Sequence, residues 1–187
     1  MASRIRVLIV DDEQVVCDLL SEELTERGYL CTTVLSGQEA LAKTKEERFG
    51  LVLLDVRLPG LSGMGVLRKL SEERPSFPVI MITALNDAST AVEAMKLGAY
   101  DYIVKPFDVD QVESCMRRAL KQRDAKSMAL EMDAIARGVE SGLSPASVPF
   151  SLVIERTTDA ARQLAIPEKD IKKWVAERSK RALGLRA

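Results

Sequence analysis

Five polar residues of the chain lie directly after short apolar segments, namely Asp11, Asp12, Asp55, Thr83 and Lys105. Carboxylates that cluster beside a lysine need a compensating charge. Mg²⁺ suits such a cluster because it binds a few carboxylate oxygens together with water and phosphate oxygens. An ionised aspartate is also a nucleophile that can form an acyl phosphate. These residue types therefore predict phosphoryl transfer, a reaction that depends mainly on positioning and charge stabilisation.

The segments that carry these residues alternate between strand and helix patterns. The predicted strands are 5–10, 29–34, 51–54, 79–82 and 102–104. The predicted helices are 13–27, 36–47, 64–73, 87–97 and 108–140. This alternation predicts a doubly wound α/β fold with a parallel five-stranded sheet. Ligands of such sheets bind at the carboxyl ends of the strands. Each polar residue alone is explained by an ordinary role as a cap, turn residue or solvated charge, so the prediction depends on their shared edge.

Two local patterns refine the helices. The first predicted helix has apolar residues at a helical spacing, at Val15, Val16, Leu19, Leu20 and Leu24. In the second, Ser36 and Glu39 have the spacing of a capping box.

Composition limits the chemistry and divides the chain. The sequence has no histidine, which excludes histidine catalysis, histidine metal ligands and a phosphohistidine of its own. A phosphoryl donor must therefore be another molecule. Residues 1–122 hold 15 basic and 19 acidic residues, whereas 123–187 hold 12 and 9, so an acidic part precedes a basic one. No apolar run approaches the ~20 residues of a membrane helix, and no signal peptide is evident at the N-terminus, so we expect a cytoplasmic protein without a membrane partner. The three cysteines are expected to be reduced thiols.

Four segments carry a resemblance to a known family. VLIVDDE (7–13), LVLLDVRLPGLSG (51–63), VIMITA (79–84) and DYIVKPF (101–107) resemble the signature blocks of response regulator receiver domains. The resemblance implies a flavodoxin-like (βα)₅ receiver domain over residues 1–122, with strand order 2-1-3-4-5. It also implies a phosphoryl donor that is a sensor histidine kinase or a phosphotransfer protein.

The resemblance also implies a metal site. Asp55 corresponds to the phosphorylated aspartate of the family, and the cofactor would be Mg²⁺, with Mn²⁺ as an alternative. Asp12 would bind the metal directly and Asp11 largely through water. Asp55 itself and the backbone carbonyl of Arg57 would complete the protein ligands.

Further roles implied by the resemblance concern the phosphoryl group and the switch. Lys105 would pair with the phosphoryl group and precede a cis peptide bond to Pro106. Thr83 would supply the hydroxyl that follows the phosphate, and Tyr102 the aromatic ring that moves with it. Asp55, Lys105 and Thr83 would thus be the catalytic residues.

The sequence departs from the best-known subfamily at one position. Regulators that dimerise through the fourth helix, fifth strand and fifth helix usually carry an arginine ten residues after the lysine, where this chain has Cys115. That mode of dimerisation is therefore not predicted, although a homodimer remains an alternative. Arg57 and Leu85 correspond to the two positions that tune phosphoryl lifetime in the family.

The C-terminal part is predicted to be all-α. Residues 123–149 would form a helical extension and linker, and 150–187 a small helical output region. The segment ARQLAIPEKDIKKW (161–174) is similar to a helix-turn-helix pattern. Its candidate DNA contacts are Lys169, Lys172, Lys173 and Arg178. The alternative is a helical hairpin that binds protein or dimerises, since Glu168 and Asp170 would repel DNA phosphates.

Taken together, the sequence predicts a two-component response regulator that is phosphorylated on Asp55 and switches a DNA-binding output. It would be a signalling module, and it would catalyse only its own phosphorylation and dephosphorylation. One alternative is an adaptor whose tail binds protein. A less favoured one is a phosphatase with an aspartyl-phosphate intermediate. Such enzymes usually carry an acidic residue two positions after the nucleophile, where this chain has Arg57.

Overall fold

The structure of the chain, a computed structural model, describes residues 4–73, 77–84 and 88–140, the last thirteen as backbone only. The strands are β1 (Arg6–Val10), β2 (Leu30–Val34), β3 (Leu51–Leu54), β4 (Val79–Thr83) and β5 (Asp101–Val104). The helices are α1 (Gln14–Glu26), α2 (Gly37–Glu46), α3 (Gly63–Glu73), α4 (Ala88–Lys96) and α5 (Val109–Glu140). Their ends agree with the predicted ones to within one residue, the margin by which helix ends ordinarily vary.

The five strands form one parallel sheet in the order β2-β1-β3-β4-β5. This confirms the predicted doubly wound fold and its strand order. The central strands β1, β3 and β4 are short apolar runs because helices cover both of their faces. Strand order brings the carboxyl ends of β1 and β3 side by side, with Val10 opposite Leu54 in the register.

Alternate residues of the strands enter two separate cores. Val7, Ile9, Leu51 and Leu53 pack on the side of α1 and α5, together with Leu20, Leu24, Val112 and Met116. Leu8, Val10, Val52 and Leu54 pack on the side of α2, α3 and α4, together with Ala40, Val66, Leu70 and Ala94. This alternation follows from the two-residue period of a strand. The strands are therefore held rigidly from both faces, which fixes the residues at their ends.

The apolar positions of α1 do not all lie on its buried face. Leu20 and Leu24 are buried with Cys17, whereas Val15 and Leu19 are 80% and 47% exposed. The helical spacing of these apolar residues is confirmed, but it does not by itself identify which of them are buried. The apolar stripe of this helix is wider than the surface that the sheet covers.

The predicted capping box at α2 forms in a modified way. The Ser36 hydroxyl accepts a hydrogen bond from the Glu39 N–H at 3.3 Å, as expected. The Glu39 carboxylate, however, accepts from the N–H of Leu35 at 3.2 Å, one residue before the cap. Both contacts provide an acceptor for a backbone N–H group near the start of α2 that has no acceptor within the helix.

The chain divides into two units, Met1–Leu120 and Lys121–Ala187, and the sheet lies within the first. Helix α5 continues to Glu140, as the sequence predicted. Within the described residues, no helix is long and apolar enough to cross a membrane. The predicted output region 150–187, with Lys169, Lys172, Lys173 and Arg178, lies outside the described residues, and so does Leu85.

Candidate functional site

The polar residues that the sequence singled out lie at the carboxyl ends of the strands because the backbone ladder holds them there. The Asp55 N–H donates to the carbonyl of Val10 at 2.8 Å, one step beyond the end of β3. The Asp11 N–H donates to the backbone carbonyl of Val34 at 3.3 Å, and the Lys105 N–H donates to the backbone carbonyl of Thr83 at 2.8 Å. The backbone hydrogen bonds of the sheet thus fix the Cα position of each of these residues.

Three carboxylates converge at this edge. Asp11, Asp12 and Asp55 each offer an oxygen, and these oxygens lie within 4.8 Å of one another. Asp11 and Asp55 are buried, whereas Asp12 is exposed. Buried carboxylates at this spacing repel one another unless cations compensate them, and an all-oxygen donor set fits a hard divalent cation such as Mg²⁺. The residues present therefore fit the metal that the sequence predicts.

The backbone of the loop after β3 supports the central carboxylate. One oxygen of Asp55, Oδ1, accepts a hydrogen bond from the Arg57 N–H at 2.9 Å. The structure therefore places the Arg57 backbone beside the acidic cluster, where its carbonyl was predicted to act as a ligand. The side chain of Arg57 is exposed.

Lys105 provides the cation of the site. Its Nζ lies 2.7 Å from Asp11 Oδ2, 2.9 Å from Asp55 Oδ2 and 3.0 Å from Glu13 Oε1. Burial by itself would lower the pKa of Lys105, but the hydrogen bonds to the three carboxylates outweigh it and the pKa is raised. The ammonium group therefore stays charged at neutral pH and can pair with an anion.

The sequence reasoning missed Glu13 as part of this site. Glu13 is the third consecutive acidic residue after β1 and lies directly before α1. Its side chain is 62% exposed, yet its carboxylate reaches Lys105. The run of three acids in VDDE was the available signal, but only the geometry of the turn into α1 brings the third one to the lysine.

Asp11 is held in place by contacts on both of its oxygens. Oδ2 accepts from Lys105, and Oδ1 accepts from the Glu13 N–H at 3.0 Å. Burial raises the pKa of Asp11, and these two contacts partly offset it. Beneath it, the thiol of Cys17 donates to the Asp11 carbonyl at 3.5 Å, and burial raises the pKa of Cys17 to about 11. This thiol is therefore protonated and structural at neutral pH.

The residues of the predicted switch lie next to the cluster in the sheet. Thr83 is fully buried at the end of β4, opposite Val104 in the register of β5. Tyr102 is half-buried in β5 opposite Met81 and packs against the core on the side of α3 and α4. The Lys105–Pro106 peptide bond is cis.

A glycine brings the start of α3 against the acidic site. A Cβ atom at Gly63 would lie 1.8 Å from the Asp55 carbonyl oxygen, and the Gly63 N–H donates to Val56 at 2.9 Å. Only a residue without a side chain permits this approach. The loop between Asp55 and Gly63 is thereby held close to the phosphoacceptor candidate.

The subfamily departure at Cys115 has a local explanation. Cys115 is buried, and its thiol donates to Asp101 Oδ2 at 3.2 Å. Burial and the neighbouring carboxylate raise the pKa of Cys115 to about 12. Arg118 Nη2 lies 3.7 Å from the same oxygen. Partners within the same chain therefore occupy the Asp101 carboxylate, and a buried thiol cannot replace an exposed arginine that pairs with a second copy.

Comparisons with known proteins agree with this architecture. Residues 7–117 match the response regulator receiver domain family. The transcriptional regulatory protein ZraR of Salmonella typhimurium is 36% identical over 76% of this chain and 32% of its own length. The uncharacterized transcriptional regulatory protein YkoG of Bacillus subtilis is 40% identical over 65% of this chain and 53% of its own. The match therefore spans only a third to a half of these relatives.

Solved structures give the same result for the fold. The receiver domain of NtrX from Brucella abortus is 37% identical, with a TM-score of 0.59 over 62% of this chain and 98% of that one. A CheY-like receiver domain protein from Methanospirillum hungatei is 31% identical, with a TM-score of 0.64 over 66% of this chain and 99% of that one.

Proposed function

This chain belongs to the response regulator receiver domain family, and we propose from this membership that it is a phosphorylation-gated switch of a two-component pathway, with Asp55 as its phosphoacceptor. One observation carries the assignment: the buried Asp55 carboxylate lies in a cluster with Asp11 and Asp12, with Lys105 Nζ at 2.9 Å. The donor is another molecule, because the chain has no histidine, and membership of the receiver family supports a sensor histidine kinase or a phosphotransfer protein.

In the proposed reaction, a carboxylate oxygen of Asp55 attacks the phosphorus of the donor. The bond between phosphorus and the donor's leaving nitrogen breaks, and an acyl phosphate remains on Asp55. Lys105 pairs with the transferred phosphoryl oxygens, since its ammonium already lies beside the acceptor. The Thr83 hydroxyl, at the end of the neighbouring strand β4, would donate a hydrogen bond to another phosphoryl oxygen.

The metal would be held by Asp12, by Asp55 and by the Arg57 backbone carbonyl, with Asp11 acting through water. When bound, Mg²⁺ or Mn²⁺ would neutralise charge on the phosphoryl oxygens. The chain would promote only its own phosphorylation and dephosphorylation, as a signalling module of the cytoplasm, and not act on a metabolite.

The output is proposed to be DNA binding by residues 150–187. The names of ZraR and YkoG as transcriptional regulatory proteins support this. So does the charge of the segment 155–187, which has nine basic and five acidic residues. Phosphorylation would act through Thr83 and Tyr102 and favour pairing of two copies on DNA. An adaptor that binds protein through the tail is the alternative.

Phosphorylation of Asp55 is tested directly with a small acyl phosphate and Mg²⁺, with intact-mass measurement of the product. We expect one phosphoryl group on the wild type and none on Asp55→Asn. Asp18→Asn is the matched control, because Asp18 is an exposed aspartate of α1, and it should be labelled like the wild type. A chelator should abolish labelling. Undiminished labelling of Asp55→Asn would refute the assignment.

A further inference from the structure

The ammonium group of Lys105 has no N–H left for a further partner. It has three N–H donors, and three carboxylates lie within 3.0 Å of its nitrogen, those of Asp11, Asp55 and Glu13. A phosphoryl oxygen can therefore gain a full hydrogen bond from Lys105 only if one of these carboxylates gives up its contact.

The three contacts differ in how easily they are given up. Asp11 has a side chain only 4% exposed, and it also accepts from the Glu13 N–H, so losing its cation would leave a buried charge without compensation. Asp55 is 5% exposed, and as an acyl phosphate it keeps a carbonyl oxygen at the site and gains phosphoryl oxygens, so it needs more hydrogen bonds from Lys105 than the free carboxylate does. Glu13 is 62% exposed, so water can solvate its carboxylate as soon as it leaves the lysine.

Within the described part of the chain, the Glu13 carboxylate contacts Lys105 and takes no part in capping α1. Glu13 is the N-cap residue of α1, but its side chain accepts no capping hydrogen bond. Its carboxylate is therefore not needed to begin the helix, and changing its charge should leave the fold intact.

We propose that Glu13 is a positioning residue that holds Lys105 in the unphosphorylated protein and must release it when a phosphoryl group arrives on Asp55. The inference rests on the proposed function of Asp55. Glu13 then stabilises the unmodified site relative to the phosphorylated one. Removing its charge makes the lysine available and shifts the site toward the phosphorylated form.

The test uses the full chain with Mg²⁺ and beryllofluoride, a mimic of the phosphoryl group on an aspartate, detected as bound fluoride by ¹⁹F NMR. Glu13→Gln should bind the mimic roughly two- to fivefold more tightly than the wild type, the range for loss of one partly exposed ion pair. Glu22→Gln is the matched control, since it removes the same charge from an exposed site on the same helix. It should bind like the wild type.

A second measurement separates release of the lysine from simple repulsion of an anion. In a Lys105→Ala background, or in Lys105→Met if the alanine variant does not fold, Glu13→Gln should lose most of its effect, because neither side chain can pair with Glu13. An effect of undiminished size in that background would overturn the proposal. So would weaker Mg²⁺ binding by Glu13→Gln, since this would place Glu13 among the groups that hold the metal.

The outcomes also distinguish this inference from the function on which it rests. If the wild type neither binds beryllofluoride nor accepts a phosphoryl group, the proposed function fails. If the wild type does both and Glu13→Gln behaves like Glu22→Gln, only the role of Glu13 is refuted.

Discussion

Asp11 and Asp12 are neighbours in the sequence but have different surroundings. Asp11 is buried, and its two oxygens already accept from Lys105 and from the Glu13 N–H. Asp12 is exposed at the rim of the same cluster. A cation from solvent therefore meets an accessible carboxylate at Asp12 and an occupied one at Asp11.

This contrast predicts unequal effects on metal affinity. Asp12→Asn should weaken Mg²⁺ binding by roughly tenfold or more, because it removes the proposed direct ligand. Asp11→Asn should weaken it less, since Asp11 is proposed to act through water. Calorimetric titration of both variants with Mg²⁺ measures the difference. Equal losses, or a larger loss for Asp11→Asn, would contradict the assignment of the direct ligand.

Two glycines at the start of α3 give a matched pair for stability. Gly63→Ala should destabilise the chain by about 2 kcal/mol or more, because its Cβ would lie 1.8 Å from the Asp55 carbonyl oxygen and backbone must move. At Gly65 the nearest atom, Leu61 Cδ1 at 2.7 Å, ends a flexible side chain. Alanine there costs little and adds up to about 1 kcal/mol of helix propensity.

Urea denaturation of the two variants checks this pair. Gly65→Ala is the control for any general effect of alanine in α3, since both glycines lie in the same helix. Similar midpoints for the two variants would show that the backbone near Asp55 tolerates displacement, and that the loop is not held as tightly as its geometry indicates.

The structure brings the predicted residues of the site together, but the sequence did not reveal every contact among them. Asp11, Asp55 and Lys105 directly follow strands and Thr83 ends one, so strand order alone brings them to one edge. Glu13 follows no strand directly, and its contact with Lys105 depends on how the chain turns into α1. Such a contact depends on side-chain reach across 92 residues of sequence, which no local pattern encodes.

At the scale of elements, the strands were predictable because β1, β3 and β4 are almost wholly apolar runs between turn residues. The buried face of α1 was harder to predict from the sequence. Its apolar residues form a stripe wide enough to accept two orientations of the helix, one through Cys17, Leu20 and Leu24 and one through Val15 and Leu19. Packing against the sheet selects the first, and that selection is a tertiary effect.

Helices α3 and α4 are joined by a hydrogen bond from the Ser71 hydroxyl to the carbonyl of Leu97. This carbonyl follows the last residue of α4, where the helix leaves its acceptors unpaired. An ion pair between Arg68 and Glu93 spans the same two helices at 3.5 Å, but both side chains are exposed. The serine therefore caps the Leu97 carbonyl, in addition to the backbone hydrogen bonds from Gly98 and Ala99 that close the end of α4.

Ser71→Ala should lower stability by about 1 kcal/mol, the net contribution of one such hydrogen bond. Thermal denaturation followed by circular dichroism measures the change. The matched control is Ser114→Ala, an exposed serine of α5, for which the expected change is within about 0.5 kcal/mol. A loss at Ser71 no larger than that at Ser114 would mean that water replaces the hydroxyl at the end of α4 without cost.

At the scale of the whole molecule, the charge is divided along the chain. The part up to residue 122 has a net charge of −4 from 15 basic and 19 acidic residues, and the remainder has a net charge of +3 from 12 and 9. Helix α5 belongs to both parts, since it begins after β5 and continues to Glu140. On net charge alone, a polyanion such as DNA would be attracted by the second part and repelled by the first.

The last prediction concerns this second part: phosphorylation of Asp55 should increase the affinity of the full chain for DNA. A single small helical unit neutralises few phosphates and binds weakly. Pairing two units makes the second contact effectively intramolecular. Affinity should fall steeply with salt because bound counterions are released from DNA. Lys172→Ala and Lys173→Ala should weaken binding at every sequence, whereas Asp55→Asn should lose only the increase on phosphorylation.

Selection of genomic fragments by the phosphorylated chain, compared with a chain that ends at residue 140, decides between the two outputs. Enrichment that requires residues 141–187 supports DNA binding. The slope of the affinity for the selected fragments against salt concentration then gives the number of phosphates contacted. If the two chains enrich the same fragments equally, the basic excess of the tail serves a protein partner. The conformational change caused by phosphorylation would then alter a surface of the tail that binds protein, and the negative charge of the receiver would have no bearing on the output.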